Sequence, residues 1–82
     1  MYRARIRVTL RPSILDPQGK AVQHAVSSLG IRGVEEVRMG KYIELRIDAA
    51  DEPSARTAAE GVCRKLLANP VMEDFDLEVE RL

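Results

Sequence analysis

Cys63 and His24 are the one thiol and the one imidazole in this 82-residue chain. Together they could make a nucleophile and its base, but as metal ligands they fall short of the four that a structural zinc takes. His24 lies off the apolar stripe of the helix predicted around it, so it reads as a surface histidine. Cys63 sits at the flank of a second helical stripe, where a buried, inert thiol is expected. Nothing in the spacing brings the two together. The acids Glu73, Asp74, Asp76, Glu78 and Glu80 are a second group that could hold a cation. Strand alternation divides them, with Asp74, Asp76, Glu78 and Glu80 on one face and Glu73 on the other, and no calcium-loop spacing is present. Arg38-Met39-Gly40-Lys41 places two cations at a predicted turn, which could meet a phosphate or a carboxylate. No glycine-rich phosphate loop accompanies them. These residues therefore point to a module without a catalytic, cofactor or metal constellation of its own.

The elements that carry these side chains follow from periodicity. Tyr2, Ala4, Ile6, Val8 and Leu10 alternate with Arg3, Arg5, Arg7, Thr9 and Arg11, which is a half-buried strand with an arginine face. Asp16-Pro17 opens a helix as cap and first residue, Ala21, Val22, Ala25, Val26 and Leu29 form its stripe, and Gly30 ends it. The runs 33–39 and 41–48 alternate about Gly40 and predict a tight hairpin. Asp51-Glu52-Pro53 starts a second helix, with Ala55, Ala58, Ala59, Val62, Leu66 and Leu67 inward, and Asn69-Pro70 ends it. Residues 72–82 alternate again, with Phe75, Leu77 and Val79 opposite the acids. The order β-α-β-β-α-β predicts one α+β domain over residues 1–82, a ferredoxin-like sandwich. In it an antiparallel sheet carries two helices on one face and leaves the other free for dimerisation.

Lys plus Arg and Asp plus Glu each number 13, so the net charge is zero, which argues against a general nucleic-acid binder. The charge is nevertheless segregated. Residues 1–41 hold eight basic and three acidic groups, and residues 42–82 hold five and ten. The arginine face of the first strand and the acid face of the last are expected side by side, fixing register through opposite-charge pairs. No run reaches the roughly 18 apolar residues of a membrane helix. The chain enters its alternation without an apolar leader, which reads as a cytoplasmic setting.

Three segments, taken in order, resemble a known family. They are Leu15-Asp16-Pro17-Gln18-Gly19, Val37-Arg38-Met39-Gly40-Lys41 and Lys65-Leu66-Leu67-Ala68-Asn69-Pro70-Val71-Met72-Glu73-Asp74. With the chain length, they resemble PurS, the small subunit of phosphoribosylformylglycinamidine (FGAM) synthase, over essentially the whole chain. The resemblance implies a non-catalytic accessory subunit in purine biosynthesis, a dimer or dimer of dimers. It implies a large synthetase subunit as partner, which uses ATP and Mg, and a glutaminase subunit with the cysteine nucleophile. The small subunit would bridge the two and support transfer of glutamine-derived ammonia. No cofactor, nucleic acid or membrane is expected for this chain. Asp16, Pro17, Gln18, Gly19, Arg38, Gly40, Lys41, Asn69 and Pro70 lie on the loops expected to meet partners. The alternative is a regulatory ferredoxin-like dimer that binds a small molecule. An acylphosphatase-like hydrolase would need a phosphate-cradling loop after the first strand, and Pro12 has removed a backbone donor there.

Overall fold

Alternation produces the sheet. A computed structural model describes residues 1–82, with strand β1 at Tyr2–Leu10, helix α1 at Pro17–Ser28, strand β2 at Gly40–Ile47, helix α2 at Glu52–Val62 and strand β3 at Glu73–Arg81. The three strands form one antiparallel sheet in the order β2-β1-β3. The architecture is α+β, as the residue pattern requires. The first strand occupies the centre and the last pairs directly with it, with Arg3 opposite Glu80, Arg5 opposite Glu78 and Arg7 opposite Asp76.

Even-numbered residues of β1 point to the helix side, where Ala4, Ile6 and Val8 are fully buried. They form the core with Ala59, Cys63 and Ala68, and Ile43, Leu45, Leu67, Phe75, Leu77 and Val79 pack around it half-buried. Ala55 and Ala59 let α2 lie close on the sheet, because an alanine face adds little thickness. Each helix start is capped as its sequence demands. Asp16 accepts from the Gly19 amide and Asp51 from the Ser54 amide, each with a proline just inside the helix. Gly30 stops α1 at φ +78°.

The structure departs from the expected sandwich in two linked ways. Residues 33–39 form no strand, so the hairpin about Gly40 is absent and the sheet has three strands. The physical reason is that Gly40 already pairs with Thr9 as the first residue of β2, which leaves no residue to turn. In addition, α1 makes no extensive contact with the sheet, and α2 alone covers it. The segment 17–39 is an arm. It stretches the molecule to 51 × 27 × 14 Å and its radius of gyration to 16.1 Å. A compact chain of this length would have a radius of roughly 12 Å.

After Val62 the helix widens into a π turn over Cys63–Leu67, where the Ala68 amide reaches back to the Cys63 carbonyl. No sequence signal marks this turn. It turns Leu66 outward, 78% exposed.

Candidate interaction site

Three loops that are far apart in sequence meet at one end of the sheet. They are the β1–α1 loop ending in Asp16, the return of the arm at 37–41, and the turn at 67–73. Asp16 is the hinge pin. Its Oδ1 accepts from the Gly19 amide at 2.9 Å and its Oδ2 from the Met39 amide at 2.7 Å. One carboxylate thus caps α1 and ties down the returning arm. Those two amides, Gly19 first and Met39 next, hold the carboxyl below its ordinary range. Arg38 adds a smaller push in the same direction, and burial opposes it.

Arg38 does not point outward from a hairpin tip. Its Nη2 donates to the carbonyls of Arg11 at 2.8 Å and Leu10 at 3.0 Å, and its Nη1 to that of Ile14 at 3.3 Å. A planar guanidinium with five donors suits this task, since it can reach several carbonyls of one loop at once. The packing around it is tight. A Cβ on Gly40 would sit 2.6 Å from the Val8 carbonyl oxygen, and one on Gly19 would collide with the carbonyl oxygen of Val37. Both positions require glycine because backbone passes too close for any side chain.

The third loop joins through cations. Lys41 Nζ donates to the Leu67 carbonyl at 3.2 Å and lies 3.9 Å from Glu73. Arg11 donates to the Pro70 carbonyl and lies 3.3 Å from Asp74. Asn69 organises the turn, its Oδ1 accepting from the Val71 amide at 3.0 Å while Glu73 accepts from its own amide at 2.8 Å. The segments of Asp16, Pro17, Gln18 and Gly19, of Arg38, Gly40 and Lys41, and of Asn69 and Pro70 therefore belong to one region. Within it, Asp16 and Gly19 are buried and Arg38 is half-buried, so these three hold the shape. Pro17, Gln18, Gly40, Lys41, Asn69 and Pro70 are exposed.

The same loops carry exposed apolar side chains that the sequence reading passed over. Leu15 is 68% exposed and Val71 75%, with Met39 and Met72 also open. The signal was present for Leu15 and Val71, each a large apolar residue beside a turn and outside any helical or strand stripe, whereas Met39 and Met72 lay within runs expected to be strands. Apolar surface rimmed by charge is the chemistry of a contact.

Reactive groups lie elsewhere. Cys63 is fully buried, and burial pushes its thiol up, with Glu60 adding to the rise and Arg64 opposing it. Reactive thiols are shifted the other way. His24 is on the exposed side of α1. No three His, Cys, Asp or Glu side chains gather as metal ligands. No helix is long and apolar enough to cross a membrane.

The fold and its end loops define the class, an α+β domain of ferredoxin-like type whose elaborated region is built from backbone clamps and exposed contact residues. The model of the family PurS, phosphoribosylformylglycinamidine (FGAM) synthase, matches residues 3–81. The phosphoribosylformylglycinamidine synthase subunit PurS of Synechocystis is 51% identical over 99% of this chain and 81% of its own. A crystal structure of Bacillus subtilis PurS superposes with a TM-score of 0.89 at 47% identity, over 99% of this chain and 100% of the other. A chain of the Thermotoga maritima PurLQS structure superposes with a TM-score of 0.89 at 26% identity, over 96% of each chain. The chain belongs to the PurS family of FGAM synthase.

Proposed function

We propose that this chain is a cytoplasmic, non-catalytic accessory subunit of FGAM synthase in purine biosynthesis. It bridges the synthetase and glutaminase subunits and supports passage of glutamine-derived ammonia between them. Family membership supports the subunit role. The observation that carries bridging is the arm, a 12-residue helix and its return held away from the sheet by Asp16 and Arg38. A helix this short gains most of its stability from packing its apolar face, and this one makes no extensive contact with the sheet of its own chain.

Self-association supplies that packing. Val22 is 38% exposed, Leu29 75%, Ile31 53% and Val34 41%, all on the arm. On the helix side of the sheet, Ile43, Leu45 and Ile47 are only half-buried, because α2 lies nearer β1 and β3. The arm of one copy laid over the β2 side of another buries both surfaces, giving a dimer through the sheet. The six exposed residues of the end loops then face the synthetase and glutaminase subunits. ATP and Mg belong to the synthetase, and this chain holds no cofactor.

Ammonia is protonated and diluted in open water, so a donor and an acceptor site must be kept aligned and sealed from solvent. A rigid, unreactive spacer can do that. The experiment is reconstitution of the three-subunit enzyme with and without this chain. Glutamine-dependent synthesis should require it, while synthesis from added ammonia should persist without it. Equal glutamine-dependent rates in both preparations overturn the proposal.

A further inference from the structure

β3 is an edge strand, and its outer side is bare. The Arg11 amide bonds to the Met72 carbonyl, and the Leu82 amide to the Met1 carbonyl, at the two ends of the β1–β3 ladder. With the observed register, these bonds assign the amides and carbonyls of Asp74, Asp76, Glu78 and Glu80 to β1. The amides and carbonyls of Phe75, Leu77 and Val79 therefore point away from the sheet. None of these six groups bonds to a loop or to a side chain. The strand runs for nine residues without proline. It lacks the blunting devices that usually protect such an edge, apart from charge.

The charge has a definite pattern. On the open face Asp74, Asp76, Glu78 and Glu80 form a row, and each uses one carboxylate oxygen toward an arginine of the β1 side. Asp76 Oδ1 meets Arg7 at 3.0 Å, Glu78 Oε1 meets Arg7 at 3.2 Å, Glu80 Oε1 meets Arg5 at 2.7 Å, and Asp74 Oδ1 meets Arg11 at 3.3 Å. The second oxygen of each accepts no hydrogen bond within the chain. A second row of cations, arriving from the outer side, would find four acceptors at a two-residue spacing.

A second copy does not fit there. Antiparallel pairing of β3 with another β3 sets acids opposite acids, and like charges directly opposite destabilise. The segment 34–39 of another copy, which forms no strand in its own chain, would bring Glu36 as well as Arg38 to the acid row. On the helix side the edge opens into a groove of about 580 Å³, walled by Arg56 and Glu60 of α2 and Arg64 of the π turn and floored by Phe75 and Leu77. The apolar floor suits an apolar residue.

We propose that the β3 edge is a docking rail for an extended segment of another subunit of the synthase, with Lys or Arg at every second position and apolar residues between. Backbone bonds to Phe75, Leu77 and Val79 would add it as a fourth strand. Its cations would fall opposite the acids at the non-hydrogen-bonded positions, where side chains come closest. The inference rests on the subunit reading above.

Amide hydrogen exchange tests it. The Phe75, Leu77 and Val79 amides should exchange fast in the isolated chain and at least tenfold more slowly in the three-subunit complex. The amides of Asp76 and Glu78, already bonded to β1, serve as the internal control. A blocked peptide of alternating Lys and Val should slow the same three amides of the isolated chain, and its Glu-Val counterpart should not. The double variant Asp76→Asn, Glu78→Gln should weaken the lysine peptide at least fivefold. Edge amides that stay fast in the assembled complex overturn the rail and leave the subunit reading intact. So does slow exchange in the isolated chain that rises with its concentration, which would place a second copy on the edge. Equal effects of the two peptides also overturn it. If no complex assembles, the subunit reading falls and the peptides alone decide the rail.

Discussion

Replacing Arg38 by alanine separates a clamp from a contact. The guanidinium makes two bonds of normal length, at 2.8 and 3.0 Å, and one longer bond at 3.3 Å, all to carbonyls of the loop after β1. A bond to a charged donor contributes about 1.5–3 kcal/mol. The side chain is 28% exposed, so water partly replaces it at the carbonyls, and the longest bond counts for little. The net loss is then about 2–4 kcal/mol. For a domain of this size each kcal/mol moves the melting temperature by roughly 4–8 °C, which gives a fall of about 8–32 °C. Arg38→Lys keeps the charge but reaches one carbonyl, so it should recover only a minority of the loss. Melting should be followed by circular dichroism at two protein concentrations, because the proposed self-association would add a concentration-dependent contribution. Lys41→Ala is the control. Its ammonium is 57% exposed, so the cost should stay below about 1 kcal/mol. An Arg38→Ala protein that melts within about 2 °C of the parent yet fails to join the synthase would refute the clamp and make Arg38 a partner contact.

Three further outcomes follow from the same geometry. Asp16 has a folded pKa below its unfolded one, so its stabilisation is complete above roughly pH 4 and is lost as pH falls through the lower folded value. Carboxyl NMR should place its midpoint below that of an exposed aspartate, and Asp16→Asn should remove that part of the acid-side decline in stability; a midpoint at the ordinary value contradicts the two-amide hinge. Ile6 is fully buried beneath α2, and Ile6→Ala should cost about 2–5 kcal/mol in urea unfolding, whereas a cost under about 1 kcal/mol would mean the core lies elsewhere. Cys63 should react with a thiol reagent slowly in the native protein and rapidly in denaturant, and equal rates would show that the π turn opens freely.

Much of this fold could be read from residue order. Period-two alternation identified β1 and β3 because one face of each is covered and the other open, and the Arg and acid rows predicted their pairing. Asp16-Pro17 and Asp51-Glu52-Pro53 marked both helix starts through local capping chemistry. The segment 33–39 misled for a physical reason. Val37 and Met39 do alternate with Glu36 and Arg38, but alternation reports a covered face and does not say which element lies beside it. There, Met39 is held by Asp16 and Arg38 by the loop after β1, contacts more than twenty residues away in sequence. The end-loop region was legible only as three separate turns. Their convergence depends on strand register, and the roles of Asp16 and Arg38 as internal clamps depend on atoms that spacing does not locate. The π turn had no local signal.

Only 10 of the 82 residues are buried, and the helix of the arm makes no extensive contact with the sheet of its own chain. So thin an interior ties the lifetime of the molecule to its company. A copy bound within the synthase would gain stability from its contacts, while an orphan would open more often and be cleared first by proteases. Surplus synthesis of this chain would therefore be trimmed by turnover down to the number of larger subunits ready to receive it, without any dedicated regulator of its abundance.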